Sequence, residues 1–291
     1  MTELSTPAPR AQPAPEITLA PFDAAHIAGA LRLSQAAGWP HLAQDWALTL
    51  SVSQGVVALK GSEVVGTALC SAFGDVACLN MIIVDADLRG QGLGRRLMEA
   101  VIDLAGPREL RLTATAEGLP LYEKLGFVAI GEIYQHQGIA RDAEPELPVT
   151  VTSGLEAAEG LSRLAEQDLA ASGMARGTLI AAIAAGGEVL RCAGGFALLR
   201  VFGRGRVLGP VVARDSAQAR ALIAAGARRA AGCFLRLDLT DPALAPEVEA
   251  LGLVHVGGGT AMVSRAQNAA NAETAPAREF TTYALASQAL G

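Results

Sequence analysis

The sequence predicts an α/β protein made of two similar halves, and three observations carry that expectation. Residues 79–104 read as a strand, a glycine-rich turn and a helix. The apolar run 81–84 leads into Arg89-Gly90-Gln91-Gly92-Leu93-Gly94, after which Leu93, Leu97, Val101 and Leu104 recur at helical spacing, with Met98 and Ile102 beside them. Residues 56–59 and 64–71, on either side of Gly61-Ser62, read as a hairpin. A faint internal repeat lays residues 209–223 against the central strand and helix, 234–239 against 110–115, and 248–253 against 122–127. In that register the second copy has no glycine loop, and Val248 stands where Tyr122 stands. It keeps a fold and loses a site.

Taken in order, residues 1–15 are a Pro-rich stretch without an apolar core, expected to be a disordered leader rather than a signal peptide. Residues 16–22 read as a first strand and 24–37 as a helix ending at Gly38. The aromatic and polar loop Trp39-Pro40-His41-Leu42-Ala43-Gln44-Asp45-Trp46 leads into a second short helix. The hairpin and the central strand, loop and helix follow, then a strand at 110–115, a helix at 119–125 and a strand from Phe127. A polar, proline-flanked segment at 141–148 divides a first domain, 16–140, from a second, 148–266. Residues 267–291 read as an Ala- and Asn-rich linker, 267–277, followed by a segment at 279–286 that docks back as a last strand or helix.

Glycines in the turn let backbone N–H groups approach a bulky anion, and the helix start adds unpaired donors and the positive end of its dipole. This is a phosphate cradle. A P-loop would need Gly-Lys-Ser/Thr, but Gly94 is followed by Arg95-Arg96, and the Rossmann fingerprint is absent as well. The pattern Arg/Gln-x-x-Gly-x-Gly/Ala after a strand, here Arg89, Gly92 and Gly94, resembles that of the GNAT N-acetyltransferases. Residues 113–127, ending Leu121-Tyr122-Glu123-Lys124-Leu125-Gly126-Phe127, resemble that family's second signature, Leu-Tyr-x-Lys-x-Gly-Phe. The second half resembles, more loosely, the domain found behind a GNAT domain in some acetyltransferases, through Gly173-Met-Ala-Arg176 and the run 208–215. The resemblance implies tandem GNAT-like domains, each a mixed, mostly antiparallel twisted sheet flanked by helices.

It also implies acetyl transfer from acetyl-CoA, as co-substrate, to a primary amine. The pyrophosphate would be held by backbone N–H groups of Gln91, Gly92, Leu93, Gly94 and Arg95, with Gly90 in the same loop and Arg89 adding charge. Ile83 and Val84 would line the thioester end, the Val84 N–H lying near the thioester oxygen. Tyr122 matches the tyrosine that protonates the departing CoA thiolate, the alternative being a packing role. For the base, His41 and Asp45 are the candidates, against a surface or capping role for each, and Asp85 follows the central strand. Glu117 and His136 are weaker candidates, and a water chain with no dedicated base stays open. Trp39 and Trp46 line the acceptor pocket or pack in the core. In the second domain, either the fold covers a sheet edge and shapes the cleft, or a relic site with Arg176, Asp215 and Asp238 binds the acceptor or an effector.

Composition fits this reading. With 51% hydrophobic and 18% charged residues the chain is globular rather than disordered. Its apolar stretches are broken well short of a membrane span, so no membrane partner and a cytoplasmic location are expected. Cys70, Cys78, Cys192 and Cys233 lack metal spacing and read as buried reduced thiols, and the histidines are dispersed, so no metal is expected. The net charge of −6 falls entirely in residues 1–145, which favours a cationic amine and disfavours nucleic acid. Three functions stay open: an acetyltransferase of a small amine, an acetyl-CoA sensor with little turnover, and a transferase acting on a lysine or N-terminal peptide amine. A homodimer is left open too.

Overall fold

The computed structural model describes residues 16–264 and 278–291. The expected leader and linker lie outside the described residues. The first half runs β1 (Ile17–Pro21), a 3-10 turn (Ala24–His26), α1 (Ile27–Ala36), α2 (Ala43–Ser51), β2 (Gln54–Lys60), β3 (Glu63–Phe73), β4 (Val76–Val84), α3 (Leu93–Ala105), β5 (Glu109–Ala114), α4 (Leu119–Lys124) and β6 (Phe127–Ile139). The second runs β7 (Thr150–Ser153), α5 (Gly154–Ala158), α6 (Leu161–Ser172), α7 (Gly177–Gly186), β8 (Glu188–Cys192), β9 (Gly195–Phe202), β10 (Gly205–Ala213), α8 (Ser216–Arg229), β11 (Phe234–Leu239), α9 (Ala245–Ala250), β12 (Val254–Ser264) and β13 (Thr281–Ala284).

Local chemistry accounts for most boundaries, including those the sequence reading misses. The first helix opens as a 3-10 turn because the Asp23 carboxylate accepts from the Ala25 N–H. The second begins at Ala43, ahead of Trp46, because Asp45 reaches back to the Leu42 N–H at 2.8 Å. The central strand starts at Val76, not 81, since Cys78 and Asn80 dilute an apolar run that is buried from Val76 to Met81 and half-buried at Ile82 and Val84. In α3 the residues Leu93, Leu97, Met98, Val101 and Ala105 form one buried stripe against the sheet. The segment at 279–286 is a strand rather than a helix. Cys70 and Cys78 are buried and Cys192 is half-buried, but Cys233 is exposed, against the expectation of four buried thiols.

The two halves do not form separate sheets. Among the described residues one thirteen-stranded sheet runs β1-β2-β3-β4-β5-β12-β6-β11-β13-β10-β9-β8-β7. Strand β12 of the second half lies between β5 and β6, antiparallel to both, from Thr260 opposite Ala114 to Ser264 opposite Leu110 on one side and from Val254 opposite Gln137 to Ser264 opposite Phe127 on the other. Strand β6 of the first half in turn pairs antiparallel with β11, Phe234 facing Ile139 and Leu239 facing Tyr134. Each half hands its last long strand to the other. The strands come so close that a Cβ on Gly258 would sit 1.6 Å from the Ile133 carbonyl oxygen. A shared core reinforces the exchange, since Phe73, Val76 and Cys78 pack with Ile180, Phe196 and Phe280.

In both halves the two parallel central strands part company. Strand β4 pairs with β5 only from Val76 opposite Glu109 to Cys78 opposite Arg111. Beyond that the β3–β4 register shifts between Thr67 and Leu69, and Met81 takes φ = 50°, unusual for a non-glycine residue. The Thr67 hydroxyl donates to the Met81 carbonyl at 2.7 Å and pins the bulge. A wedge opens between the strand ends. In the second half β10 and β11 pair only at Arg206–Leu235 and Val207–Arg236. There β13 fills the wedge, bonded to β10 from Val211–Ala284 to Ala213–Thr281 and to β11 at Leu239–Ala284.

The exchange makes a concrete prediction for the isolated first half. Residues 16–147 expressed alone would leave β6 without either neighbour and the β12-facing edge of β5 bare. Such a fragment should show no cooperative thermal transition by circular dichroism, and the fragment 148–291 added in equimolar amount should restore one.

Candidate active site

The open wedge is the centre of the site. From the cradle end a groove of about 260 Å³ is lined by Ile83, Val84, Arg89, Gly90 and Gly94, with Tyr122 at its inner end. From the opposite end a pocket of about 290 Å³ meets it at Trp39, Ile82, Thr115 and Tyr122. The two spaces join at the tyrosine.

The cradle has the backbone its sequence implies. Gly90 and Gly92 lie at φ = 75° and 82°, in the left-handed region where a Cβ is strained, and Gly92 is the N-cap of α3. No side chain caps that helix start, and no acidic residue stands in its first turn. The first N–H groups of α3, from Leu93 to Arg95, are therefore available to an anion. The side chains of this segment do other work: Leu93 is buried under α3, Arg95 pairs with Glu99 at 2.8 Å, and Gln91 donates to the Asp87 carbonyl. Arg89 donates from Nε to the Val84 carbonyl at 3.3 Å. The Asp85 N–H bonds to Val65 of β3, so strand alternation turns the preceding Val84 N–H the other way, into the wedge. These features fit the pyrophosphate and thioester of acetyl-CoA.

Tyr122 is held by its surroundings. The ring packs edge-on to Phe127 with centroids 6.2 Å apart, and a Cβ on Gly118 would meet it at 2.8 Å. Burial pushes its phenol up to about 12, so it stays protonated throughout the neutral range.

The candidate bases separate on inspection. Asp45 is buried away from both spaces, and its oxygens accept from the Leu42 N–H, the Gly203 N–H at 3.1 Å and Arg200 at 3.3 Å. It caps α2 and ties the first half to the second. His41 does line the pocket, in an aromatic cage with Trp39 and Phe202 at 5.6 and 5.4 Å. Its buried Nδ1 has no partner. Burial first, then the Arg236 and Arg200 charges, pulls its pKa to about 4. A base that weak takes a proton from an alkylammonium only against an equilibrium of about a million to one. With its cation disfavoured by burial and by two arginines, His41 lines the pocket as a weaker base than a free imidazole.

Other expected residues fall elsewhere. Asp85 caps the turn at Ala86–Leu88 and pairs with Arg32. Glu117 lines the outer groove, whereas His136 is buried at the strand exchange with Nδ1 3.2 Å from the Tyr134 carbonyl. Trp39 lines both spaces, and Trp46 is wholly buried in the core. Of the candidates for a relic site in the second half, Asp215 caps α8, Arg176 is locked to buried Asp168 at 2.6 Å and Asp238 holds Arg236, while β13 occupies the corresponding wedge. The second half contributes to the first site instead, through Phe202 and Arg236 of β9 and β11 and through Ser287, Gln288 and Ala289. Sequence reasoning passed over Asn80, Gln135 and Arg236. The one available signal was a charged pair, Arg236 and Asp238, set inside an otherwise apolar strand.

Two substitutions test these roles. Asp45→Ala strands the Arg200 guanidinium, 7% exposed, and should cost about 3–5 kcal/mol by urea unfolding. His41 is disfavoured as a cation in the folded state, so the unfolded chain binds more protons between pH 6.5 and about 4 and stability falls as pH drops through that window. His41→Gln should remove up to ~3 kcal/mol of that acid-side loss, read from urea midpoints between pH 7 and 4.5.

Comparison with known proteins agrees with the geometry. Residues 25–141 and 164–275 each match a profile described as an acetyltransferase (GNAT) domain. Over 164 residues the chain is 35% identical to the uncharacterized N-acetyltransferase YitH of Bacillus subtilis (strain 168), covering 53% of this chain and 56% of that one. The chain thus spans little more than half the length of this curated relative. Among solved structures, a Pyrococcus horikoshii protein assigned as an acetyltransferase superposes with a TM-score of 0.76 at 16% identity, covering 94% of this chain and 96% of that one. A tandem GNAT protein from the clavulanic acid biosynthesis pathway, solved without AcCoA, gives 0.61 at 15% identity, covering 86% and 98%. At those identities the likeness is one of fold. Among the described residues no helix is long and apolar enough to cross a membrane, and no three His, Cys, Asp or Glu side chains are grouped to hold a metal ion. With a GNAT profile on each half and a tandem GNAT fold along its length, the chain belongs to the GNAT acetyltransferase family.

Proposed function

We propose that the protein transfers an acetyl group from acetyl-CoA to a primary amine by direct attack within the wedge between β4 and β5. The observation that carries this reading is Tyr122, which lines both the groove behind the glycine cradle and the pocket beyond it. An amine in the pocket and a thioester in the groove would meet at its hydroxyl.

Acetyl-CoA supplies the activated acetyl group and a thiolate leaving group. The first-turn N–H groups of α3 hold its phosphates, and Arg89 adds a positive charge at the mouth. The Val84 N–H faces the place where negative charge grows on the carbonyl oxygen and stabilises it. The acceptor loses one proton to water before it attacks, since neither His41 nor Asp45 is fitted to take it. A second proton leaves the nitrogen as the amide forms and is made good on the sulfur through the Tyr122 hydroxyl. With its phenol near 12 and an ordinary thiol near 8.5, Tyr122 does not end as a phenolate. It donates to the departing sulfur and is reprotonated from the nitrogen.

Tyr122→Phe keeps the ring and removes only the donor. It should lower kcat about 10²- to 10³-fold in a CoA thiol-release assay, with the acetyl-CoA melting shift of the full-length protein intact. Unchanged turnover would refute the donor role. A melting shift with no turnover on any amine would favour an acetyl-CoA sensor.

A further inference from the structure

The acceptor pocket has a chemical polarity that narrows the amine it takes, and this argument rests on the acetyl-transfer reading above. Arg236 is the one charged side chain among the described residues that line it. Its Nε and Nη2 edge is taken by Asp238, at 3.0 and 2.9 Å, and its face lies over Phe202 at 5.3 Å. Asp238 is fully buried behind it and accepts a further bond from Gln288 at 2.9 Å. The guanidinium is therefore fixed in place, with Nη1 as the edge that Asp238 does not engage.

Asn80 on β4 presents the opposite character. It is 5% exposed, and its Nδ2 donates to the Ser71 hydroxyl at 2.9 Å and the Cys78 carbonyl at 3.1 Å. A carbonyl can only accept, so the amide nitrogen must lie on that side and Oδ1 on the other. That Oδ1 is buried without a partner. The orientation is locked further by a one-way relay: Ser71 donates to Ser53, and Ser53 to the Thr49 carbonyl in α2, each at 2.6 Å. A buried acceptor left unsatisfied costs stability, so its retention in the wall of a pocket points to a donor supplied from outside the chain.

We propose that the acceptor is a small aminocarboxylate, of the amino-acid class, whose amino group is held by the Asn80 side-chain carbonyl beside Tyr122 and whose carboxylate is held by Nη1 of Arg236. The amine N–H bonds satisfy the orphaned oxygen and turn the nitrogen lone pair toward the thioester. The carboxylate gains a charge-assisted bond. A polyamine would bring a second cation toward Arg236 and find no carboxylate among the lining residues. An internal lysine of a peptide brings no carboxylate of its own.

The test uses the full chain with acetyl-CoA, reading CoA thiol release on matched acceptors: amino acids, their carboxamides, the corresponding decarboxylated amines, spermidine and a lysine peptide. Aminocarboxylates should exceed their carboxamides in kcat/KM by about 10- to 100-fold. That ratio should collapse to within about threefold in Arg236→Gln/Asp238→Asn, a pair that leaves no lone buried charge. Asn80→Leu should lower kcat/KM about tenfold or more on every acceptor while leaving the acetyl-CoA melting shift in place. Equal or better turnover of carboxamides, decarboxylated amines, spermidine or the peptide would overturn the acceptor class and leave acetyl transfer standing. No thiol release with any acceptor, from a protein that acetyl-CoA stabilises, would overturn both.

Discussion

The reciprocal exchange of β6 and β12 is the constraint on which the rest of the molecule depends. Four strands, β5, β12, β6 and β11, alternate between the halves and make one continuous ladder out of what two similar chain segments would otherwise build separately. The pocket that meets the groove at Tyr122 is assembled on that ladder. Gln135 comes from β6, Gly258 from β12 and Arg236 from β11, so that wall of the pocket exists only once the strands have crossed. Asp45 adds a second tie, from the cap of α2 to Arg200 and the Gly203 N–H in the other half. Breaking such a buried pair by removing one partner leaves an uncompensated charge, which suits it to fixing position as much as to adding stability.

The bulge at Met81 does for the groove behind the glycine turn what the exchange does for the pocket beyond it. A regular β4 would continue to pair with β5 past Cys78 and close the wedge. The shift of register and the left-handed Met81, held by the Thr67 hydroxyl, turn the strand away and free the Val84 N–H. Strain of this kind persists where surrounding contacts over-determine it, and here those contacts are the buried Leu69, Trp46 and Ile83 of one core.

Much of this was legible in the sequence, and for identifiable reasons. The α3 stripe, the glycine turn and the hairpin are local patterns, each fixed by residues within about a dozen positions of one another. The repeat at 209–223, 234–239 and 248–253 fell on β10 and α8, on β11 and on the stretch from α9 to Leu253, because strand and helix periodicities survive the loss of a site. The strand exchange was not legible, since nothing in residues 127–139 or 254–264 says which neighbour each strand will choose. Register is set by the faces to be buried, and both choices bury the same faces. The polar residues of the pocket were missed for a related reason. Asn80 sits in an apolar strand, where its amide reads as an interruption, and Arg236 gains meaning only beside Phe202 and Asp238. His41 was found by its position, but the lowering of its pKa was not legible, because its surroundings include Phe202, more than 150 residues away.

The wedge filled by β13 carries a consequence for ligand traffic. The two wedges have the same form, a gap between diverging parallel strands with backbone groups along its edges, and in one of them the occupant is part of the chain. A segment tethered in this way competes at an effective concentration in the millimolar range, and at no translational cost. A free ligand reaching the second wedge would have to displace hydrogen bonds already made to both β10 and β11 against that local concentration. The molecule is thus duplicated in architecture, with one of its two wedges open and the other already occupied by its own chain.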